Sequence, residues 1–293
     1  MRYPLYIISK GRADRCLTAR FMAADGVPFH IVVEKKEVAE YGKQYGIENI
    51  YVLPFSNLGQ GSISARNWVW EHAKAAGHER HWIFDDNIYH IMRFFRGKRI
   101  YCNANKALTA CEDFVDRYKN VAIAGLNYCM FGIACSHYSA PAFYLNHHVY
   151  SALLIQNDIP CRWRGRYNED TDLCLQVLSG GWCTILFNAF MIQKVASMAM
   201  KGGNTNELYQ GDGRLKMARS LERLWPGVVE TKRRFKRPQH VIKNAWGKFD
   251  TPLKKRTDLI IEDTPNEYGM TLKQVKPIKS KRLKAILRKY NNG

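Results

Sequence analysis

The sequence has no CxxC pair among its eight cysteines, and none of them stands at zinc-finger spacing from a histidine. Zinc-finger and thioredoxin-like redox motifs are therefore excluded as organising features. Cys174 in DLCLQVL and Cys183 in GWCTILF lie in apolar stretches, so the cysteines read as free buried thiols of a reducing compartment. No apolar run reaches the roughly 18 residues needed to span a bilayer. The N-terminal stretch MRYPLYIISKGR breaks at Lys10-Gly11-Arg12, where a leader would continue apolar, and the chain is expected to stay in the cytoplasm with no membrane partner. GKS and GKT are absent and Gly59-Gln60-Gly61 is too short for a phosphate loop, which removes the P-loop and dinucleotide-fingerprint classes. No internal repeat or low-complexity tract is visible.

Positive charge is what the chain has in excess. The 293 residues hold 45 Lys+Arg against 26 Asp+Glu, a net of +19. Residues 201–293 carry 23 of the cations and 9 of the acids, whereas residues 1–200 are nearly balanced at 22 and 17. A basic third attached to a balanced body suits a polyanionic partner, and nucleic acid is favoured over an inert basic surface. The clusters Lys232-Arg233-Arg234, Lys236-Arg237, Lys254-Lys255-Arg256 and Lys281-Arg282 with Lys284 have Trp225, Phe235, Trp246 and Phe249 between or beside them. These aromatics can form a small core or stack on an exposed base, and the core role is favoured.

Two hydrophobic periods alternate through the first 130 residues. PLYIIS, PFHIVVE, NIYVLPF and RHWIFDD (80–86) read as buried strands, separated by helical ADRCLTARFMAADG, KEVAEYGKQYG and a segment from about 62 to 76. Ser62 or Ser64 is placed to cap that last helix. Strand–helix units in this order predict a mostly parallel α/β sheet covered by helices on both faces. NIYHIMRFFRGKRIYC reads as a hairpin, ANKALTACEDFVDRYK as a helix, NVAIAGL and SAPAFYLN as strands, with a short helix to follow. NEDTDLCLQVLSGG (168–181) is a helix, WCTILFNAFMI a further strand, and KGGNTNELYQGDGR (201–214) a polar loop. Composition then shifts. The expected division is a body at 1–210 and a basic, mainly helical region at 211–293.

Four constellations carry chemistry. Asp85-Asp86-Asn87 ends a buried strand, at the edge where open parallel sheets form their ligand crevice. Paired carboxylates there could hold a hard divalent cation bridging diphosphate oxygens, although the same triplet also suits an ordinary turn. Glu169-Asp170-Thr171-Asp172 opens a helix directly after Arg162-Trp163-Arg164-Gly165-Arg166. Acids at a helix start can simply favour its dipole, but beside a basic loop one of them can act as general base toward an acceptor hydroxyl. Ser64-Ala65-Arg66-Asn67 puts a guanidinium at a helix N-terminus that already favours anions. Ser9-Lys10-Gly11-Arg12 follows the first strand and shares a sheet edge with Asp85, while Glu34 ends the second strand within reach of a ribose or base. His147-His148 lacks a third ligand at metal spacing and is set aside.

IISKGR, SISARN, WIFDDN and NEDTDLCLQVLSGGWCTI, occurring in this order over residues 3–200, resemble the GT-A fold of nucleotide-sugar glycosyltransferases. Within that fold the chain is similar to the bacteriophage TET-associated glycosyltransferases, which act on hydroxymethylated pyrimidines in DNA. The resemblance implies a UDP-sugar donor contacted by Ser9, Lys10, Gly11, Arg12, Glu34, Arg66, Asn67 and Asp85. It implies Mn2+ or Mg2+ on Asp86, with Asp85 on metal or ribose, and Asp170, or Asp172 beside it, as base, with Glu169 in the same cluster. Lys194 or Lys201 would add positive charge. The motif reads Asp-Asp-Asn rather than Asp-any-Asp, and no histidine between 148 and 240 offers the late metal ligand of many GT-A enzymes. An acceptor on protein or glycan is the alternative to 5-hydroxymethylcytosine in double-stranded DNA.

Overall fold

The computed structural model describes residues 1–132, 141–195, 213–234 and 237–258. The expected alternation is present from the start. Strands β1 (Leu5–Ile8), β2 (His30–Glu34), β3 (Ile50–Leu53) and β4 (Arg80–Asp85) alternate with helices α1 (Leu17–Ala24), α2 (Val38–Tyr45) and α3 (Ile63–Ala75). The four strands pair in parallel in the order β3-β2-β1-β4, so their C-terminal ends share one edge. They read as continuous apolar runs because both faces are covered. Tyr6 and Ile83 pack into one core and Leu5, Ile7, Trp82 and Phe84 into the other. Trp82 is fully buried and donates its indole N–H to Glu112 Oε1 at 2.8 Å, which satisfies the one polar atom it carries into the core.

The hairpin β5 (Ile88–Phe95) and β6 (Lys98–Tyr101) turns at Arg96-Gly97, both with positive φ, 50° and 71°. After α4 (Ala104–Val115) come β7 (Val121–Tyr128), β8 (Phe143–Leu145), β9 (Ala152–Gln156), α5 (Glu169–Ser179) and β10 (Cys183–Lys194). The sheet continues from β4 through β9, β7, β10 and β5 to β6, and β8 pairs with β10. β9 replaces the expected short helix. Ala152-Leu153-Leu154-Ile155 is apolar without a helical polar face, and it inserts antiparallel between β4 and β7, buried on both sides. Gly125 on β7 makes room for it. A Cβ there would collide with the Ala152 carbonyl oxygen and the Val149 side chain.

The described part of the basic region, 213–234 and 237–258, does not stand apart. Helix α6 (Gly213–Leu224) and the hairpin β11 (Val229–Arg234) and β12 (Arg237–Ile242) place Leu221, Val229, Ile242 and Trp246 in the core shared by α3 and α5. Among the described residues of 213–258 the expected helical character is confined to α6 and a short 3-10 helix at Lys243–Trp246. The stretch 229–242 pairs as a hairpin, its Val and Thr residues suiting a pleated strand. Trp225 and Phe249 pack against the same core, as the core reading of the aromatics expects, while Phe235 and residues 259–293 lie outside the described residues. Six of the seven described cysteines are buried and all seven are free; Cys135 lies outside that set. No helix among the described residues is long and apolar enough to cross a membrane.

Candidate active site

The C-terminal edge of β1, β2 and β4 gathers most of the expected residues. β4 ends at Asp85 and Asp86 opens the turn to β5, and the two carboxylates meet different partners. Thr18 fixes the turn: its hydroxyl donates to the Asp85 carbonyl at 2.6 Å and accepts from Ile88 N at 3.0 Å.

Asp86 is 5% exposed and already engaged. Its Oδ1 accepts from Arg12 Nη1 at 2.6 Å and its Oδ2 from the Ser9 hydroxyl at 2.7 Å, with Tyr41 OH 2.7 Å beyond Ser9. Burial pushes its carboxyl above the ordinary range against the pull of Arg12 and Ser9. Ser9, Arg12 and Asp86 thus form one buried knot under the loop. Gly11 turns that loop with φ of 63° and donates its N–H to Glu37. Glu34 ends β2 between Lys10 Nζ at 3.1 Å and Lys36 Nζ at 3.4 Å. Burial alone would raise the Glu34 carboxyl, but the Asn57 amide and the two lysines lower it, so it stays ionised.

Asp85 is the more open of the pair, with its side chain 27% exposed. Oδ1 accepts from Arg66 Nη2 at 2.9 Å and Oδ2 from Lys194 Nζ at 3.1 Å. Burial raises this carboxyl, yet Lys194 and Arg66 outweigh it and hold the group down at about 2. Arg66 is 4% exposed and centres the site. Its Nε donates to Ser62 Oγ at 3.1 Å and lies 3.8 Å from Glu169 Oε1, its guanidinium carbon sits 4.6 Å from the Trp163 ring centroid, and its buried Nη1 has no hydrogen-bond partner. The Ser62 hydroxyl donates to Glu169 Oε1 at 3.0 Å and leaves α3 without the expected side-chain cap. Ser64 bonds Gln60 instead.

The acidic run at the start of α5 divides into three roles. Glu169 faces Ser62 and Arg66. Asp170 has a buried Oδ1 with no hydrogen-bond partner, and burial, reinforced by Glu169 and Asp85 against Arg66 and Lys194, pushes its carboxyl up to about 7. A carboxyl titrating near neutrality and within electrostatic reach of a buried Arg is suited to accept a proton. Asp172 is fully buried and both its oxygens are taken: it accepts from Arg164 Nε at 3.0 Å, Gln176 Nε2 at 2.7 Å and Trp225 Nε1 at 2.6 Å. It ties the basic loop and the C-terminal region to α5 and is closed to a substrate proton. Asn67, expected at the donor, donates to the Trp163 carbonyl at 2.9 Å and accepts from Trp163 N at 3.1 Å. Its amide holds the ring that stacks on Arg66.

Three contributors escaped the sequence reading: Tyr128, Ser151 and Trp163. Lys194 figured there as a diffuse charge and here binds Asp85 directly. Lys201 lies outside the described residues. The seat for Mn2+ or Mg2+ on Asp86 and Asp85 does not fit these side chains. All four carboxylate oxygens of the pair accept from Arg12, Ser9, Arg66 or Lys194, and among the described residues no group of three His, Cys, Asp or Glu converges as metal ligands.

The edge where open α/β sheets bind their ligands thus carries the ionised carboxylates Glu34 and Asp85, a buried guanidinium with a spare donor and a carboxyl tuned to neutrality. The chain belongs to the TET-associated glycosyltransferases: that family, TET-Associated Glycosyltransferase, matches residues 3–203. No curated protein matches. Among solved structures, a protein from Desulfovibrio desulfuricans G20 described as a nucleotide-diphospho-sugar transferase is similar over 64% of this chain and 79% of its own, with 9% identity and a TM-score of 0.36. That likeness is too distant to carry function.

Proposed function

We propose that the protein moves a hexosyl group from a UDP-sugar to the hydroxymethyl group of a modified pyrimidine, 5-hydroxymethylcytosine first, in double-stranded phage DNA within the host cytoplasm. The observation that carries the reading is the single guanidinium of Arg66, which joins the strand-end carboxylate Asp85 to the acidic start of α5 and keeps one buried N–H without a partner. An unpaired buried donor costs about 1–3 kcal/mol, and a diphosphate oxygen would satisfy it.

In this reading the nucleoside lies over the ends of β1 and β2, beside Lys10 and Glu34. The acceptor oxygen bonds to the sugar C1 as the C1–O bond to the diphosphate breaks. The bond pair leaves on the β-phosphate oxygen and the hydroxyl proton passes to Asp170, which describes an inverting enzyme. A retaining enzyme would use Asp170 to hold the sugar instead. The DNA acceptor is supported by the +14 carried by residues 201–293 and by the hairpin β5–β6, where Arg93, Arg96, Lys98 and Arg99 accompany exposed Phe95, Ile100 and Tyr101. Cations there would neutralise phosphates, and the major groove already displays the hydroxymethyl group. The residues 211–293 would supply most of the DNA contacts. The test is mass spectrometry of nucleosides after incubating hydroxymethylated DNA with a panel of UDP-sugars. A hexose-shifted hydroxymethylcytosine is expected. Sugar appearing on protein or glycan, with DNA unmodified, would overturn the acceptor.

A further inference from the structure

The poor fit of a divalent cation at Asp85-Asp86 has a positive counterpart. Lys194 is the last residue of β10, and its side chain is only 11% exposed. Burying an ammonium is costly unless its three N–H donors are met. Here they are, by oxygens from three different strands or strand edges. Nζ lies 3.1 Å from Asp85 Oδ2 at the end of β4, 2.8 Å from Ser151 Oγ just before β9, and 3.4 Å from Tyr128 OH at the end of β7. The Tyr128 ring faces the ammonium at 5.2 Å, a cation–π distance.

The seat is built at some cost. Ser151 adopts a left-handed φ of 63°, a conformation disfavoured for a residue with a Cβ. It holds its hydroxyl between Lys194 and Tyr128 OH, the latter at 2.6 Å, while its carbonyl accepts from Asp85 N at 2.8 Å. Strained backbone of this kind gathers at functional sites. Arg66 occupies the other oxygen of the same carboxylate. Asp85 therefore bridges two cations, and one of them has an orphaned donor. A purely structural ion pair needs one cation per carboxylate. Two cations with a free N–H, at the sheet edge where substrates bind, form half of an anion site.

We propose that the ammonium of Lys194 is the resident cation of this active site, gripping the donor diphosphate together with Arg66 so that transfer needs no divalent metal. The proposal rests on the nucleotide-sugar donor named above. On donor arrival the N–H that makes the longest contact, to Tyr128 OH, turns to a β-phosphate oxygen, while Asp85 and Ser151 keep the ammonium in place. Charge growing on that oxygen as the C1–O bond breaks then meets a fixed positive charge, the role a metal fills when its ligands are free.

Calorimetric binding of UDP to the full-length protein, with inorganic pyrophosphate as a base-independent probe, tests this in EDTA and in Mn2+; the EPR signal of Mn2+ reports metal capture directly. The expected result is equal affinity in both buffers, after correction for Mn2+ chelation by free UDP, and a Mn2+–UDP spectrum unchanged by adding protein. Lys194→Ala should weaken UDP in EDTA by about 10- to 100-fold, the range for one charged hydrogen bond. Added Mn2+ should recover part of the deficit, because Asp85 Oδ2 is released. Lys194→Arg should keep most of the affinity. If Lys194→Ala does not fold, the wild-type arms and Lys194→Arg still decide. UDP affinity that rises tenfold or more with Mn2+, together with a protein-bound Mn2+ spectrum, overturns the metal-free site and leaves the donor reading standing. If neither probe binds in either buffer, the donor reading falls and this proposal with it.

Discussion

Asp170→Asn separates catalysis from stability in a single side chain. The substitution keeps shape and polarity and removes the ionisable proton. In the folded protein the carboxyl is raised from the ordinary 3.8 to about 7, chiefly by burial. An acid raised in this way binds its proton more tightly folded than unfolded. Stability therefore falls as pH rises from about 4 to about 7, and the penalty stays in full above that window. Three pKa units correspond to roughly 4 kcal/mol, an upper bound because neighbouring charges relax. Asp170→Asn should thus raise the melting temperature at pH 8 by several degrees, at about 2–4 °C per kcal/mol for a chain of this size. The gain should vanish near pH 4. Turnover should meanwhile drop about 10²- to 10⁴-fold, the usual effect of removing a general base. Wild-type turnover should rise with pH along a limb centred near 7, and that limb should disappear in the variant. Differential scanning fluorimetry across pH and a pH–rate profile of sugar transfer give both halves. A variant that melts lower at pH 8 and turns over within tenfold of wild type would refute the assignment. Full inactivation by Glu169→Gln and none by Asp170→Asn would move the role to Glu169.

Other expectations follow from individual side chains. Asp172→Ala strips Trp225, Gln176 and Arg164 of one acceptor and should cost about 2–3 kcal/mol in urea unfolding, since two of the stranded donors are neutral and Arg164 is half exposed. Asp86→Ala leaves Arg12 without its carboxylate in a buried knot and should lower the melting temperature as well as activity, whereas a mere surface ligand would lower activity alone. Removing residues 259–293, which hold eight Lys+Arg and three Asp+Glu, should weaken DNA binding and flatten its salt dependence, by about 0.9 in log–log slope for each phosphate no longer neutralised. Affinity and slope unchanged after that truncation would place the DNA contacts in the remaining basic residues, those of 213–258, Arg93–Arg99 and Arg162–Arg166.

The four parallel strands were legible because each is a short, continuous apolar run closed by turn residues, and that pattern survives without knowing its neighbours. β9 was not legible for the same physical reason. A run such as ALLIQ is equally apolar as helix or strand, and what decides is the slot between β4 and β7 that Gly125 leaves open. The hairpin β11–β12 was hidden differently. Its lysines and arginines mask the alternation that marks a strand, and its register depends on Val229 and Ile242 reaching a core made by residues far earlier in the chain.

At the site, residue types were readable and partners were not. Asp85 and Asp86 look interchangeable in the sequence, yet one closes β4 against Arg66 and Lys194 while the other opens the turn against Arg12 and Ser9. Asp170 and Asp172 likewise differ by two residues on one helix, a turn of about 200°, which sends one toward Arg66 and the other toward Arg164 and Trp225. Their protonation follows from those neighbours. Lys194 carried a weak but real signal: it ends CTILFNAFMIQK, where a lone cation closing a buried strand must either reach solvent or find carboxylate. Three groups at positions 85, 128 and 151 receive it, and sheet topology alone brings those positions together, because β4, β9, β7 and β10 lie side by side in the sheet. The antiparallel insertion of β9 between β4 and β7 therefore makes the cation seat, and a sequence reading that puts a short helix in place of β9 has no strand edge to bring Ser151 to Lys194.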